Sequence, residues 1–225
     1  GIVWNPSSST TVRAAAFRSL QHPYLSDRAL NPSLEPTQVG GFNQFYLGAI
    51  GDSAWRYGIG LDQKFSTSIY GGIEFLLSHV DETFIGDANG AERMVRNDRD
   101  LKHSRAYLFW TPTSSLALGG EYLYERVDAD ITGGFYGVEE AKNIRTHRGI
   151  FSVRYFNPLG FTIGASLTYI DQKGDFVAFM ADGTEYLLPG RDRFSIVDAF
   201  VSYRLPKRMG IVSFEAKNLF NRKFH

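Results

Sequence analysis

Nine charged residues interrupt segments that are otherwise rich in aromatic and aliphatic side chains: Arg56, Asp62, Glu74, Arg105, Glu121, Arg148, Arg154, Asp198 and Glu215. Arg56 stands between Trp55 and Tyr57, and Glu74 between Ile73 and Phe75. A charge in such a place is costly in a dry core. It is cheap on a wetted wall, where opposite charges on neighbouring strands pair. The chemistry such a wall supports is the guidance of a polar solute, so these nine are expected to line a lumen-facing path. Other constellations are weaker. His22, His79, His103, His147 and His225 show no metal-ligand spacing and read as single rim residues. Asp87, Asn89 and Gly90, and separately Asp128 and Asp130, lack the remaining ligands of a calcium loop. The pairs Gly58 and Gly60, Gly71 and Gly72, and Gly119 and Gly120 precede no helix and form no phosphate cradle; sheet curvature or close packing of a plug explains them. No nucleophile, base and acid can be assembled from spacing. The expectation is a protein that is not an enzyme and needs no cofactor or metal.

The elements that must carry those charges are short and alternate with a period of two. Nine segments fit: 10–18, 54–65, 68–79, 103–110, 115–125, 143–156, 160–170, 194–205 and 211–220. In 54–65, Trp55, Tyr57, Ile59 and Leu61 share one face, opposite Arg56, Gly58, Gly60, Asp62 and Lys64. Such alternation over roughly ten residues predicts strands rather than helices. Tight polar turns close one end, at 65–68, 111–115, 156–160 and 205–210. At the other end lie charged, glycine-bearing stretches near 80–101, 127–143 and 171–192, expected to be long loops. Residues 19–52 read mainly as loop, with 39–47 able to form a strand of a loop hairpin.

Composition narrows the class. The 225 residues carry 24 basic and 24 acidic side chains, so a polyanion such as nucleic acid is not an expected partner. There is no cysteine, which removes disulfides and thiolate metal sites. No apolar run approaches the roughly 18 residues of a membrane-spanning helix. The first residues, GIVWNPSSS, lack the basic and apolar regions of a signal peptide.

Short turns at one end and long loops at the other, with aromatics crowding the turns (Phe65, Tyr70, Phe109, Trp110, Phe156, Phe161, Tyr203), are the marks of a barrel crossing a bacterial outer membrane. The expected fold is therefore all-β: a transmembrane, antiparallel, up-and-down β-barrel, with the whole chain, 1–225, in one barrel domain and no plug domain. Bacterial barrels close with an even number of strands, so a count of nine predicts an incomplete portion of a larger barrel.

The last two strands carry a resemblance. VDAFVSYRLPKRMGIVSFEAKNLFNRKFH (197–225) resembles the C-terminal region of TonB-dependent outer-membrane receptors, with Asp198, Tyr203 and Asn218-Leu219-Phe220-Asn221 matching and Phe224 where that family usually has Tyr. TTVRAAAFRSL followed by NPSLEPTQ (31–38) is similar to a strand-and-loop segment of the same family, with the Glu35-Pro36 order reversed. The LEPTQ and GFNQF runs are also similar to barrels that follow tetratricopeptide repeats. The resemblance implies outer-membrane transport in a Gram-negative bacterium: uptake of a scarce small-molecule solute such as a metal chelate. The lipid bilayer and a periplasmic energy-coupling protein are the implied partners. A passive or export porin attached to a periplasmic repeat domain is the alternative, and a soluble β-rich binding module a third.

Overall fold

Alternating side chains become alternating faces once the strands pair, and pairing is nearly complete here. The computed structural model describes residues 1–20, 38–43, 53–87, 92–130, 141–179 and 185–222. The strands are β1 (Ile2–Ser7), β2 (Thr10–Leu20), β3 (Gln38–Val39), β4 (Phe42–Asn43), β5 (Ser53–Lys64), β6 (Ile69–Asp87), β7 (Glu92–Thr113), β8 (Leu116–Asp130), β9 (Ala141–Phe156), β10 (Phe161–Phe179), β11 (Glu185–Arg204) and β12 (Ile211–Ala216). Ten form one antiparallel sheet in the order β1-β2-β5-β6-β7-β8-β9-β10-β11-β12, an up-and-down meander; β3 and β4 pair only with each other. The protein is thus all-β, and its sheet is open: β1 and β12 form the two edges.

The apolar face points out. On β5, Trp55, Tyr57, Ile59 and Leu61 are exposed while Arg56 is only 5 % exposed. The same holds for Ile73, Phe75 and Leu77 on β6, Phe151 and Tyr155 on β9, and Ile163, Leu167 and Tyr169 on β10. A sheet folded for water would do the reverse. The covered face is the concave one, where side chains reach each other across two strands. It holds polar residues and two small apolar clusters. Ala15, Phe42 and Leu76 pack with Phe17 and Val39; Ala54, Val80 and Leu101 pack with Val127.

Several expectations are corrected. Residues 2–7, outside the nine expected segments, form β1 and pair with β2. NPSSS (5–9) has the composition of a polar turn, but an edge strand tolerates the missing N–H of Pro6 on its free side. The sheet therefore has ten strands, and the argument from an odd count falls. Within 80–101 and 171–192 the described residues are not loops but strand extensions, paired as far as Asp87 with Glu92 and Phe179 with Glu185, while 88–91 and 180–184 lie outside the described residues. Ladder hydrogen bonds need no apolar side chains, and ion pairs such as Asp171 with Arg191 at 2.5 Å support them. Likewise β8 runs to Asp130 and β9 begins at Ala141, while 131–140 lie outside the described residues. At the far end β12 stops at Ala216, and 217–220 form a turn. Within 39–47, only the hairpin at 38–43 is described; its turn needs positive φ at Gly40 (58°) and Gly41 (82°), which glycine alone adopts freely.

Candidate functional site

The concave face gathers five of its charges into one ladder. Backbone register sets Arg13 of β2 beside Gly60 of β5, Gly60 beside Glu74 of β6, and Glu74 beside Arg105 of β7. Because Gly60 has no side chain, Arg13 crosses over β5: its Nη2 lies 3.1 Å from where a Cβ on Gly60 would stand. Arg13 Nε donates to Asp62 Oδ2 at 2.7 Å, and Nη2 to Glu74 Oε1 at 2.5 Å. Arg105 continues the ladder, with Nη1 3.8 Å from Glu74 and Nη2 donating to Glu121 of β8 at 2.6 Å. Gly72 provides a second gap, over which the Tyr107 hydroxyl donates to Asp62.

Each guanidinium thus bridges two carboxylates, in the order Asp62, Arg13, Glu74, Arg105, Glu121. Three acids and two bases nearly compensate, so the ladder stiffens the wall more than it projects a field. Rings frame it. Phe42 of β4 lies under the Arg13 guanidinium, 5.1 Å from centroid to Cζ, and Tyr107 lies 4.5 Å from Arg105 Cζ. Phe42 comes from the β3–β4 hairpin, which folds onto the concave face and narrows it.

The remaining expected site residues have other surroundings. Arg56 is buried and donates to Ser19 Oγ. Arg148 approaches Glu125 at 3.9 Å, Glu125 approaches His103 at 3.5 Å, and Arg148 Nε is buried with no hydrogen-bond partner. Arg154 lies over the Phe200 ring at 5.7 Å. Asp198 holds the terminal turn: its Oδ1 accepts the backbone N–H of Asn218 at 2.8 Å. Asn218, the first residue of the family-like motif, has φ 51° and exchanges two hydrogen bonds with the Arg222 backbone. Leu219 donates its N–H to the Val197 carbonyl, Phe220 is exposed, and Asn221 returns its N–H to the Asn218 carbonyl. Glu215 is exposed and 3.9 Å from Lys217.

Reading by residue type missed Arg13, Tyr107 and Phe42, although Arg13 and Tyr107 fall on the polar side of their strands. Two aromatics expected at the rim, Tyr70 and Phe109, pack against Tyr107 instead, at 5.9 and 5.7 Å. His79 gains company that spacing did not reveal. With Asp81 and Asp98 it brings three ligand atoms within 4.8 Å of one another, and its Nδ1 lies 2.8 Å from Asp100.

No protein-family model matches this chain, and neither a curated protein nor a solved structure matches it.

Proposed function

We propose that this chain forms the wall of an outer-membrane transport barrel, of the TonB-dependent-receptor type, that takes up a scarce polar solute such as a metal chelate. The supporting observation is the slope of the outward apolar band. Its upper edge is Trp55 on β5 and Val197 on β11. Followed strand by strand, Val197 is in register with Leu167, Phe151, Gly120, Leu108, Gly71 and Gln63, eight residues beyond Trp55. The lower edge drops equally: Leu61 is in register with Ser195, eight residues before Tyr203. A fall of eight residues is about 27 Å, and six strand spacings are about 29 Å, so the band lies at about 43° to the backbone rows. Strands tilted by about 35–45° in a membrane barrel need that slope to keep an apolar belt level. The belt itself, from Ile69 to Leu77 or from Phe161 to Tyr169, is about 27 Å of strand and about 20 Å of height.

Edges left unpaired are not tolerated in lipid, so the ten strands read as a sector of a larger wall in which β1 and β12 have partners. Within it the Asp62-to-Glu121 ladder faces the solute path, and the energy-coupled mechanism rests on the resemblance at 197–225. A passive porin is the second reading, favoured by the β3–β4 hairpin, which constricts the concave face with the chain's own residues.

The deciding experiment measures entry of a radiolabelled iron chelate into cells producing the protein, with and without an uncoupler. Uptake abolished by the uncoupler supports energy coupling; uncoupler-insensitive entry selects the porin. A chain that is monodisperse and folded in water without detergent overturns both.

A further inference from the structure

Above the apolar band, the outward face carries five cations side by side. Lys102 of β7 pairs in register with Arg126 of β8, Arg126 with Arg145 of β9, Arg145 with Lys173 of β10, and Lys173 with Arg191 of β11. Register partners share a face and stand about 5 Å apart, so this is an unbroken row of like charge. Like charges directly opposite destabilise a sheet. Two carboxylates relieve the ends only: Asp128 binds Arg126 at 2.7 Å and lies 3.9 Å from Lys102, while Asp171 binds Arg191 at 2.5 Å and Arg193 at 3.2 Å. Arg145 and Lys173, in the middle, have no hydrogen bond or ion pair among the described residues. Asp175, two residues from Lys173, accepts from Asn143 Nδ2 at 3.3 Å instead, so among the described residues no anion answers the middle of the row.

The height of the row identifies the source of an anion that would. On β8, Arg126 is the first outward residue after Tyr124; on β10, Lys173 is the second after Tyr169; on β11, Arg191 is the third after Val197. The row therefore begins where the belt ends, at the depth of lipid headgroups. Its four strand spacings cover about 19 Å and, at about 43°, about 13 Å of depth. A single phosphate cannot answer charges spread over that depth. Directly below, the outward positions Gly71, Ala106, Gly120 and Gly149 leave a hollow of about 750 Å³ in the belt, and a Cβ on Gly120 or Gly149 would meet nothing within 4 Å.

We propose that Lys102, Arg126, Arg145, Lys173 and Arg191 bind a multiply phosphorylated glycolipid of the surrounding leaflet, its phosphates along the row and an acyl chain in the hollow beneath. This rests on the membrane-barrel reading. The charge-assisted contacts would be strong because guanidinium and phosphate match in geometry.

The test folds the full chain in dodecyl maltoside micelles and measures binding of lipid A by native mass spectrometry, using its bisphosphoryl, monophosphoryl and dephosphorylated forms. The bisphosphoryl form should bind at least about tenfold more tightly than the dephosphorylated one. The double variant Arg145→Gln with Lys173→Gln should lose that preference while keeping the wild-type heat-modifiable gel shift. Gly120→Leu should weaken all three forms by a similar factor. Equal binding of the three forms, an unchanged preference in the double variant, or full displacement by millimolar pyrophosphate overturns the proposal; the last would mark a site for free phosphate. A full chain that is folded and monodisperse in water without detergent overturns the membrane reading itself, a result separate from the others.

Discussion

The Phe42 ring occupies the space in front of Gly58: a Cβ there would stand 2.8 Å from Phe42 Cγ. The small side of β5 and the large side of the inward hairpin are complementary, and that contact seats the hairpin. Gly58→Val should unseat it without disturbing the outward face. The chain has no native cysteine, so Val39→Cys, on the same hairpin and with the Phe42 ring kept, is a clean reporter. Its alkylation should accelerate at least about tenfold in the Gly58→Val background. Equal rates would mean that the hairpin is held elsewhere.

Facing can be tested by charge. Ile73→Arg or Leu167→Arg places a cation mid-belt and should cost about 2–4 kcal/mol of stability in bilayers. Glu74→Gln, one residue from Ile73 but on the concave side, should leave assembly intact. Urea unfolding in liposomes reads both. Equal tolerance of Ile73→Arg and Glu74→Gln would contradict the assignment of faces.

How much of this was legible beforehand depends on the distance a signal must travel along the chain. The opposite facing of Ile59 and Asp62 needs only a period of two, and it was readable. The partnership of Arg13 with Glu74 needs the register of three strands and a missing side chain at Gly60, and no local pattern encodes it. Asp198 was readable as inward, but not as the acceptor for the Asn218 N–H, because that depends on where β12 ends. The turn-like composition of NPSSS (5–9) concealed β1, and a proline such as Pro6 fits a strand only where that strand is an edge. The strand extensions misled by composition too: charge and glycine mark loops on average, yet Asp171 and Arg191 hold a ladder together.

The ion ladder makes a quantitative expectation. Arg13 and Asp62 are each 12 % exposed, so their pairing is only partly screened. A double-mutant cycle of Arg13→Gln and Asp62→Asn should give a coupling energy of about 1–3 kcal/mol. A value under about 0.5 kcal/mol would reduce the ladder to incidental contact.

His79 lies on the outward face beyond the belt, where its hydrogen bond with Asp100 raises its pKa above the usual 6.5, with the charges of Asp81 and Asp98 acting the same way. A raised folded value means that its stabilising contribution is complete below about pH 6.5 and is lost as pH rises through the raised value. Titration of the His79 ring by NMR should show an elevated midpoint that falls in Asp100→Asn. A midpoint at or below 6.5 in the unaltered protein would refute the pairing.

At the C-terminal turn, Asp198→Ala should free the Asn218 N–H and expose residues 217–222 to trypsin, at a cost of about 1–2 kcal/mol locally. Asp198→Asn keeps an acceptor oxygen and should resemble wild type. Indistinguishable digestion of Asp198→Ala and wild type would show that the turn stands alone.

The diagonal course of the apolar belt also changes what a hydrogen-bonded rung means. Tyr57, Leu77, Lys102, Arg126, Arg145, Lys173 and Arg191 are successive partners on one rung. In a bilayer that rung starts in oil at Tyr57 and climbs through the headgroup layer to Arg191, like a line of longitude crossing latitudes. Position along a strand alone is therefore no guide to depth. A tolerance map of outward substitutions should shift by about one and a third residues from each strand to the next, and a map drawn with level rows would mistake ordinary lipid contacts for special sites.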